Sequence, residues 1–257
     1  MLEIIFIGFV LFIILTLFYK QAICEFRINQ VEWEKRDTLH ELLQEKIPLV
    51  LRGIPSSTCW SHNDVIAREC YSRIPIFKET TLSSWISSSA ETAICPWSYP
   101  QAEQIARISG IPIWAEKWLH PVVIPRALRS WWIHPRYHCW TGRKGLHRTY
   151  AMWTCIFPVD GEIQASILTE SMESNLPTSW MDRMPDELSL KDTPFIHDLK
   201  YMDVILRPGT CFILPPHWFV SWKPTETSSI PPMVCSISYH TPISLLAFHS
   251  SPCLNKK

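Results

Sequence analysis

The sequence predicts a mainly β domain with added N-terminal helices (α+β), carried behind one N-terminal transmembrane helix. Three observations predict this: an uncharged apolar run in the first 20 residues, a helix-periodic first half, and a second half of short aromatic and β-branched segments punctuated by Gly and Pro. The composition agrees. A chain of 257 residues, less the apolar run, is one domain of ordinary size. The 21 prolines and 13 tryptophans, set against 7 glycines, suit short strands joined by rigid turns. Lys plus Arg and Asp plus Glu are equal at 24 each, so there is no basic excess, and no nucleic-acid partner is expected.

Ile4 to Tyr19 reads IIFIGFVLFIILTLFY and carries no charge. A bilayer core needs about 20 apolar residues, with a lower bound near 17, so residues 1–20 are expected to form a transmembrane anchor with the membrane as partner. A cleaved signal peptide is the competing reading. It normally begins with a basic segment, whereas only Glu3 precedes this run; Ala22 and Cys24 would supply its small-residue cleavage site. Lys20 and Arg27, offset by Glu25, flank the C-terminal side, and the positive-inside rule then places the soluble domain on the cytoplasmic face. The nine cysteines are odd in number and widely spaced, without a CxxC pair. Several lie in apolar runs, such as Cys155 and Cys211, where cysteine acts as a small buried hydrophobe. A mostly reduced domain is expected.

Residues 21–37 read as a polar juxtamembrane linker and residues 38–257 as the domain. Its first half, to about residue 139, is expected to be helical. Thr38 and Glu41 have capping-box spacing ahead of a Leu39, Leu42, Leu43 stripe. Pro48 to Arg52 is a buried-strand candidate ended by Gly53 and Pro55. Ser61 is placed to cap a helix reaching Cys70, and Thr81 to Ser88 and Gln101 to Ile108 read as two more. Barrel strands are expected over about 140–248. The segments are Tyr150 to Phe157, Glu162 to Leu168, Tyr201 to Leu206, Cys211 to Leu214, Trp218 to Trp222 and Met233 to Tyr239. Several short strands in succession point to a sandwich or barrel. Residues 170–195, with Glu170, Glu173, Asp182, Asp186 and Glu187, read as a solvated polar insertion between strands. The Trp131, Trp132, Tyr137 and Trp140 cluster reads as a core corner rather than a ligand platform. His134 and His138 cannot share a regular helix face, because Pro135 lies between them. There is no GxSxG elbow, Gly-rich phosphate loop or HExxH.

Four stretches, in this order, resemble the JmjC and cupin-like branch of the 2-oxoglutarate oxygenases: PLVLRGIP from Pro48, TTLSSW from Thr80, WTGRKGLH ending at His147, and VILRPGTCFILPPHWF from Val204. The resemblance covers roughly residues 45–245 and implies a double-stranded β-helix, a cupin-like jelly roll. It also implies an iron site built from a His-x-Asp pair and a distal His, plus a basic residue gripping the co-substrate. At the matched positions this chain has His147, then Thr149 for the carboxylate, Val220 for the distal histidine and Ile163 near the basic residue. Threonine is a poor ligand and valine none. His147 and His217, with Asp203, Asp160 or His240, remain as residual ligand candidates.

The function expected from these residues is a membrane-anchored JmjC/cupin-like protein that has lost iron and 2-oxoglutarate catalysis and serves as a binding or structural module. No catalytic residue, metal or cofactor is expected. The alternative is an Fe(II) and 2-oxoglutarate dependent hydroxylase with rearranged ligands; a third reading is another kind of jelly-roll module. A viral membrane is one setting that such an architecture suits.

Overall fold

The computed structural model describes residues 2–21, 25–57, 59–77, 80–88, 95, 97–124, 132–225 and 231–250. The apolar run is a single helix, α1 (Leu2–Lys20), apolar all round. Its 19 residues, at about 1.5 Å each, match the thickness of a hydrocarbon core. The window Glu3–Lys20 is long and apolar enough to cross a membrane, and none of it is buried in the protein, so α1 is not a core helix.

Next come β1 (Asn29–Glu32), a 3-10 turn (Trp33–Thr38), α2 (Leu39–Gln44) and β2 (Leu49–Arg52). Polar residues 29–32, expected to belong to a connection, instead form an edge strand parallel to β2, pairing Val31 with Leu51. The capping box at Thr38 does not form. The 3-10 turn runs straight into α2, leaving Thr38 in helical rather than extended backbone, and its hydroxyl donates to the Lys35 carbonyl instead. β2 ends at Gly53, whose φ of +77° suits glycine.

Short helices follow: α3 (His62–Ala67), α4 (Glu69–Ser72), a small hairpin of β3 (Pro75–Phe77) and β4 (Thr80–Thr81), α5 (Leu82–Ser88), α6 (Tyr99–Ser109), α7 (Ile111–Trp118) and α8 (His120–Val123). Ser61 caps α3, its hydroxyl accepting from the Asp64 amide, but the helix expected to reach Cys70 breaks at extended Arg68. Sequence reasoning missed α7 and α8. Their Pro112 and Pro121 look like breakers, yet both sit in the first turn, where a missing N–H costs nothing.

The second half contains β5 (His134–Thr141), β6 (Lys144–Arg148), β7 (Trp153–Asp160), β8 (Ile163–Leu168), β9 (Met202–Leu206), β10 (Thr210–Leu214), β11 (Phe219–Pro224), β12 (Met233–His240) and α9 (Pro242–His249). The domain is thus mixed helix and sheet. One sheet has the order β1-β2-β10-β7-β12-β5 and the other β6-β11-β8-β9. Both contribute to one apolar core, with Ile156, Phe212 and Ile237 from the first and Ile163, Val220 and Trp222 from the second. The outer side of the larger sheet is covered by the helical half. Trp97 Nε1 donates to the Cys139 carbonyl (2.8 Å) and Trp60 Nε1 to the Trp140 carbonyl (3.4 Å). Such cover explains why β7 is buried on both faces up to Val159.

Between two of the expected strands, residues 207–210 form a turn, with Gly209 at φ +86° and the Thr210 amide donating to the Arg207 carbonyl (2.9 Å). However, β9 and β10 lie in different sheets, so this turn is a corner between sheets rather than a hairpin. The insertion is three 3-10 turns over a small apolar cluster of its own, including Leu176, Trp180 and Leu188 packed on Leu146 and Phe219. Its acids are paired as well as solvated: Glu170 and Glu173 with Arg148, Glu187 with Arg143, and Asp186 with Lys223. Cys59, Cys70, Cys95, Cys139, Cys155, Cys211 and Cys235 are free thiols; Cys24, Cys253, Ala22 and Trp131 lie outside the described residues.

Candidate functional site

β6 and β11 set the positions that matter. Their register puts His147 directly opposite Val220, so both side chains lie on the same face of the smaller sheet. That face is interior: Val220 is wholly buried, and Trp222, two residues on, meets the His147 ring edge-on at 5.4 Å. Ile163, at the start of β8, is also fully buried and belongs to the apolar core.

Thr149 lies just past the end of β6. Its hydroxyl donates towards the Pro215 carbonyl (2.8 Å), with the Trp218 carbonyl also near (3.1 Å), and accepts from the Trp218 amide (3.1 Å). Backbone bonds reinforce this join: the Thr149 amide donates to Trp218 and the His217 amide to Thr149, each at 2.8 Å. The side chain therefore pins the segment before β11 and does not present a ligand.

His147 lines a small cavity between the sheet ends, of about 30 Å³, together with His138, His240, Lys144, Trp140 and Tyr99. The Lys144 ammonium sits 3.2 Å from the Trp140 ring centroid and 4.4 Å from that of Tyr99, a cation–π arrangement. His147 Nδ1–H donates to the Gly145 carbonyl (3.1 Å), which leaves Nε2 as the unprotonated nitrogen. Burial first, then the Lys144 charge, hold the His147 pKa down to about 3. Burial, then Arg136, holds His240 at about 4, and burial lowers His138 well below the ordinary value. The cavity thus combines neutral imidazoles with the Lys144 ammonium and the Arg148 guanidinium, and no lining side chain is acidic.

The other ligand candidates do not converge there. His217, at φ +72°, is not part of the cavity lining and instead faces α1: its Nε2–H donates to the Tyr19 carbonyl (3.1 Å), and its ring meets Tyr19 edge-on at 4.8 Å. Asp160 accepts from the His62 amide and pairs with its ring (2.9 Å); Asp203 accepts from Ser166 and Gln164. Among the described residues no group of three or more His, Cys, Asp or Glu is placed to hold a metal. The aromatic cluster is likewise divided. Trp140 lines the cavity, Trp132 lies on a separate groove beside α1, and the Tyr137 hydroxyl bonds His120 (3.1 Å). His138, read in the sequence only as part of a broken helical pair, faces the cavity from β5.

Sequence reasoning missed Lys144, Tyr99 and Phe248 as cavity residues, and missed the latch that holds α1. Lys46 Nζ donates to the Phe18 (2.6 Å) and Gln21 (3.0 Å) carbonyls, and the Tyr19 hydroxyl donates to the Tyr150 carbonyl (2.7 Å). The Lys46 donors thus reach carbonyls at and just beyond the end of α1, where the last carbonyls lack intrahelical partners. Basic-residue spacing carries no signal for Lys46, which lies 25 residues from Gln21 in sequence. No protein-family model matches the chain, and no curated protein matches it either.

Proposed function

We propose that this chain is a membrane-anchored domain of the double-stranded β-helix type, related to the JmjC and cupin-like oxygenases, that has lost iron and 2-oxoglutarate chemistry and serves as a binding or structural module. Strand order supports the fold. Eight successive strands, β5 to β12, divide into the orders β10-β7-β12-β5 and β6-β11-β8-β9, the interleaving expected when a long hairpin is wound into two facing sheets. In that frame β6 and β11 carry the ligand positions, which agrees with the placement of His147 and Val220 inferred from the motifs.

The observation that carries the functional reading is the filling of this site. One imidazole faces a valine, the nearby hydroxyl is committed to Pro215 and Trp218, and the co-substrate position is a core isoleucine. A facial iron site needs two imidazoles and a carboxylate. The cavity of about 30 Å³ holds little more than a water molecule, against about 300 Å³ or more for a small-molecule site. The residues present do not fit iron with 2-oxoglutarate. A set of rearranged ligands has no support either, because His147 and His217 face different places. The helix α1, exposed and apolar, supports the anchor, and the latch of Lys46 and His217 on its last turn supports a fixed attachment of domain to helix.

Two measurements test this reading. The full chain expressed in cells should stay in the membrane pellet through an alkaline carbonate wash; intact chain in the supernatant would remove the anchor. The variant Thr149→Asp, Val220→His, Ile163→Lys should gain affinity for Fe(II) over the native chain. A folded triple variant with no gain would contradict the placement of these positions around one site. Activity is not expected even then, since ligands also need orienting partners.

A further inference from the structure

We infer that the groove between α1 and the domain binds one acyl chain of a bilayer phospholipid, with its phosphate beside Lys46. This rests on the reading of α1 as a membrane anchor.

The groove has a volume of about 650 Å³, far larger than the inter-sheet cavity and within the range that holds a small ligand. One wall is the last two turns of α1, with Leu15 and Phe18; the other is the domain, with Trp132, Met152, Trp153 and Ile243. An unfilled apolar groove of this size in water would leave its lining without dispersion partners. Its position names the occupant. Phe18 is 58% exposed and Leu17 63% exposed on the same stretch of helix, so whatever surrounds α1 also reaches the groove. Around an anchor helix that material is lipid, and another protein segment would have to displace it.

Charge and depth agree. Lys46 lies on the groove and uses two of its three N–H donors on the Phe18 and Gln21 carbonyls, leaving one for a phosphate oxygen. Those carbonyls mark the polar end of α1, where Lys20 also stands, so the ammonium sits at headgroup depth. Trp132 and Trp153 on the same groove suit that boundary, where tryptophan rings collect. On α9, which packs against α1, the apolar side chain of Leu246 is 65% exposed.

The test uses the full chain in phosphatidylcholine vesicles doped with phosphatidylcholine bearing a photoreactive diazirine midway along one acyl chain. After irradiation, lipid adducts are mapped by mass spectrometry. Adducts are expected at Met152 and Ile243 as well as at Phe9 and Phe12 on the open face of α1. Filling the groove with Ile243→Trp, or independently with Gln44→Trp, should lower the Met152 adduct by about tenfold, equivalent to a tenfold loss of affinity, and leave Phe9 and Phe12 labelled. Labelling of Phe9 and Phe12 with none in the groove overturns the proposal and leaves the anchor standing. Absence of label on α1, with release of the protein by carbonate, overturns both. Crosslinks between copies across the groove, in place of lipid adducts, also overturn it.

Discussion

The Thr149 hydroxyl is buried and saturated between Pro215 and Trp218. Replacing it with the isosteric valine strands the Trp218 amide and the Pro215 carbonyl, while the Trp218 carbonyl keeps the Thr149 amide. A loss of about 1–3 kcal/mol is expected, the cost of leaving buried polar groups unpaired. Denaturant titration of the full chain in detergent micelles checks this; an unchanged midpoint would mean the hydroxyl contributes nothing. The buried histidines set a second expectation. With folded pKa values of about 3 for His147 and about 4 for His240, and a lowered one for His138, the unfolded chain binds protons that the folded chain excludes. Their linkage is therefore flat above the ordinary histidine pKa of about 6.5, and stability falls as pH drops below it, by at most about 1.4 kcal/mol per pH unit for each histidine. His147→Gln should flatten that fall between about pH 6 and 4. An equal slope in the variant would show that His147 does not titrate as its burial requires. The motif order singled out His147, Thr149 and Val220, and the pairing of β6 with β11 brings His147 and Val220 face to face. Lys144 in its aromatic cage was not legible from sequence, since Tyr99 and Trp140 reach it only once α6 packs on β5.

At the scale of elements, the insertion docks on the free edge of β6. The Leu146 amide donates to the Arg183 carbonyl (2.8 Å) and the Asp182 amide to the Leu146 carbonyl (3.1 Å). This approach explains Gly145: a Cβ there would lie 2.0 Å from the Asp182 carbonyl carbon. Gly145→Ala should therefore loosen residues 170–199, seen as faster proteolysis and hydrogen exchange there, with a stability loss of the order of 1–3 kcal/mol. Unchanged exchange across the insertion would contradict the contact. The latch on α1 gives a parallel expectation. Lys46→Met with His217→Phe should raise exchange at the amides of residues 17–21 without unfolding the strands, and no change there would mean that the latch is not occupied. Sequence patterns located α1, α6 and the strands from β7 to β12, because each has a clear apolar period or a Gly and Pro boundary. They missed β5 and β6. In β5 the His134, Pro135 and Tyr137 side chains interrupt any alternation, and β6, with Lys144 and Arg148 at its ends, is only five residues long.

At the scale of the molecule, two sheets close over one core, an outer layer of helices covers the larger sheet, and an exposed apolar helix leaves from the end where His217, Tyr150 and Lys46 meet it. The order of β5 to β12 in the two sheets was not legible in any local pattern, because pairing between strands distant in sequence leaves no local trace; Cys139 and Cys235, for example, face each other across 96 residues. We propose that this architecture keeps an oxygenase-like frame without the chemistry. Anaerobic calorimetry of the full chain in detergent, titrated with Fe(II) and then with 2-oxoglutarate, tests it most directly. The account predicts no saturable heat for either ligand. Micromolar binding of either one, abolished by His147→Ala, would contradict it and make the chain a hydroxylase with a ligand set of its own.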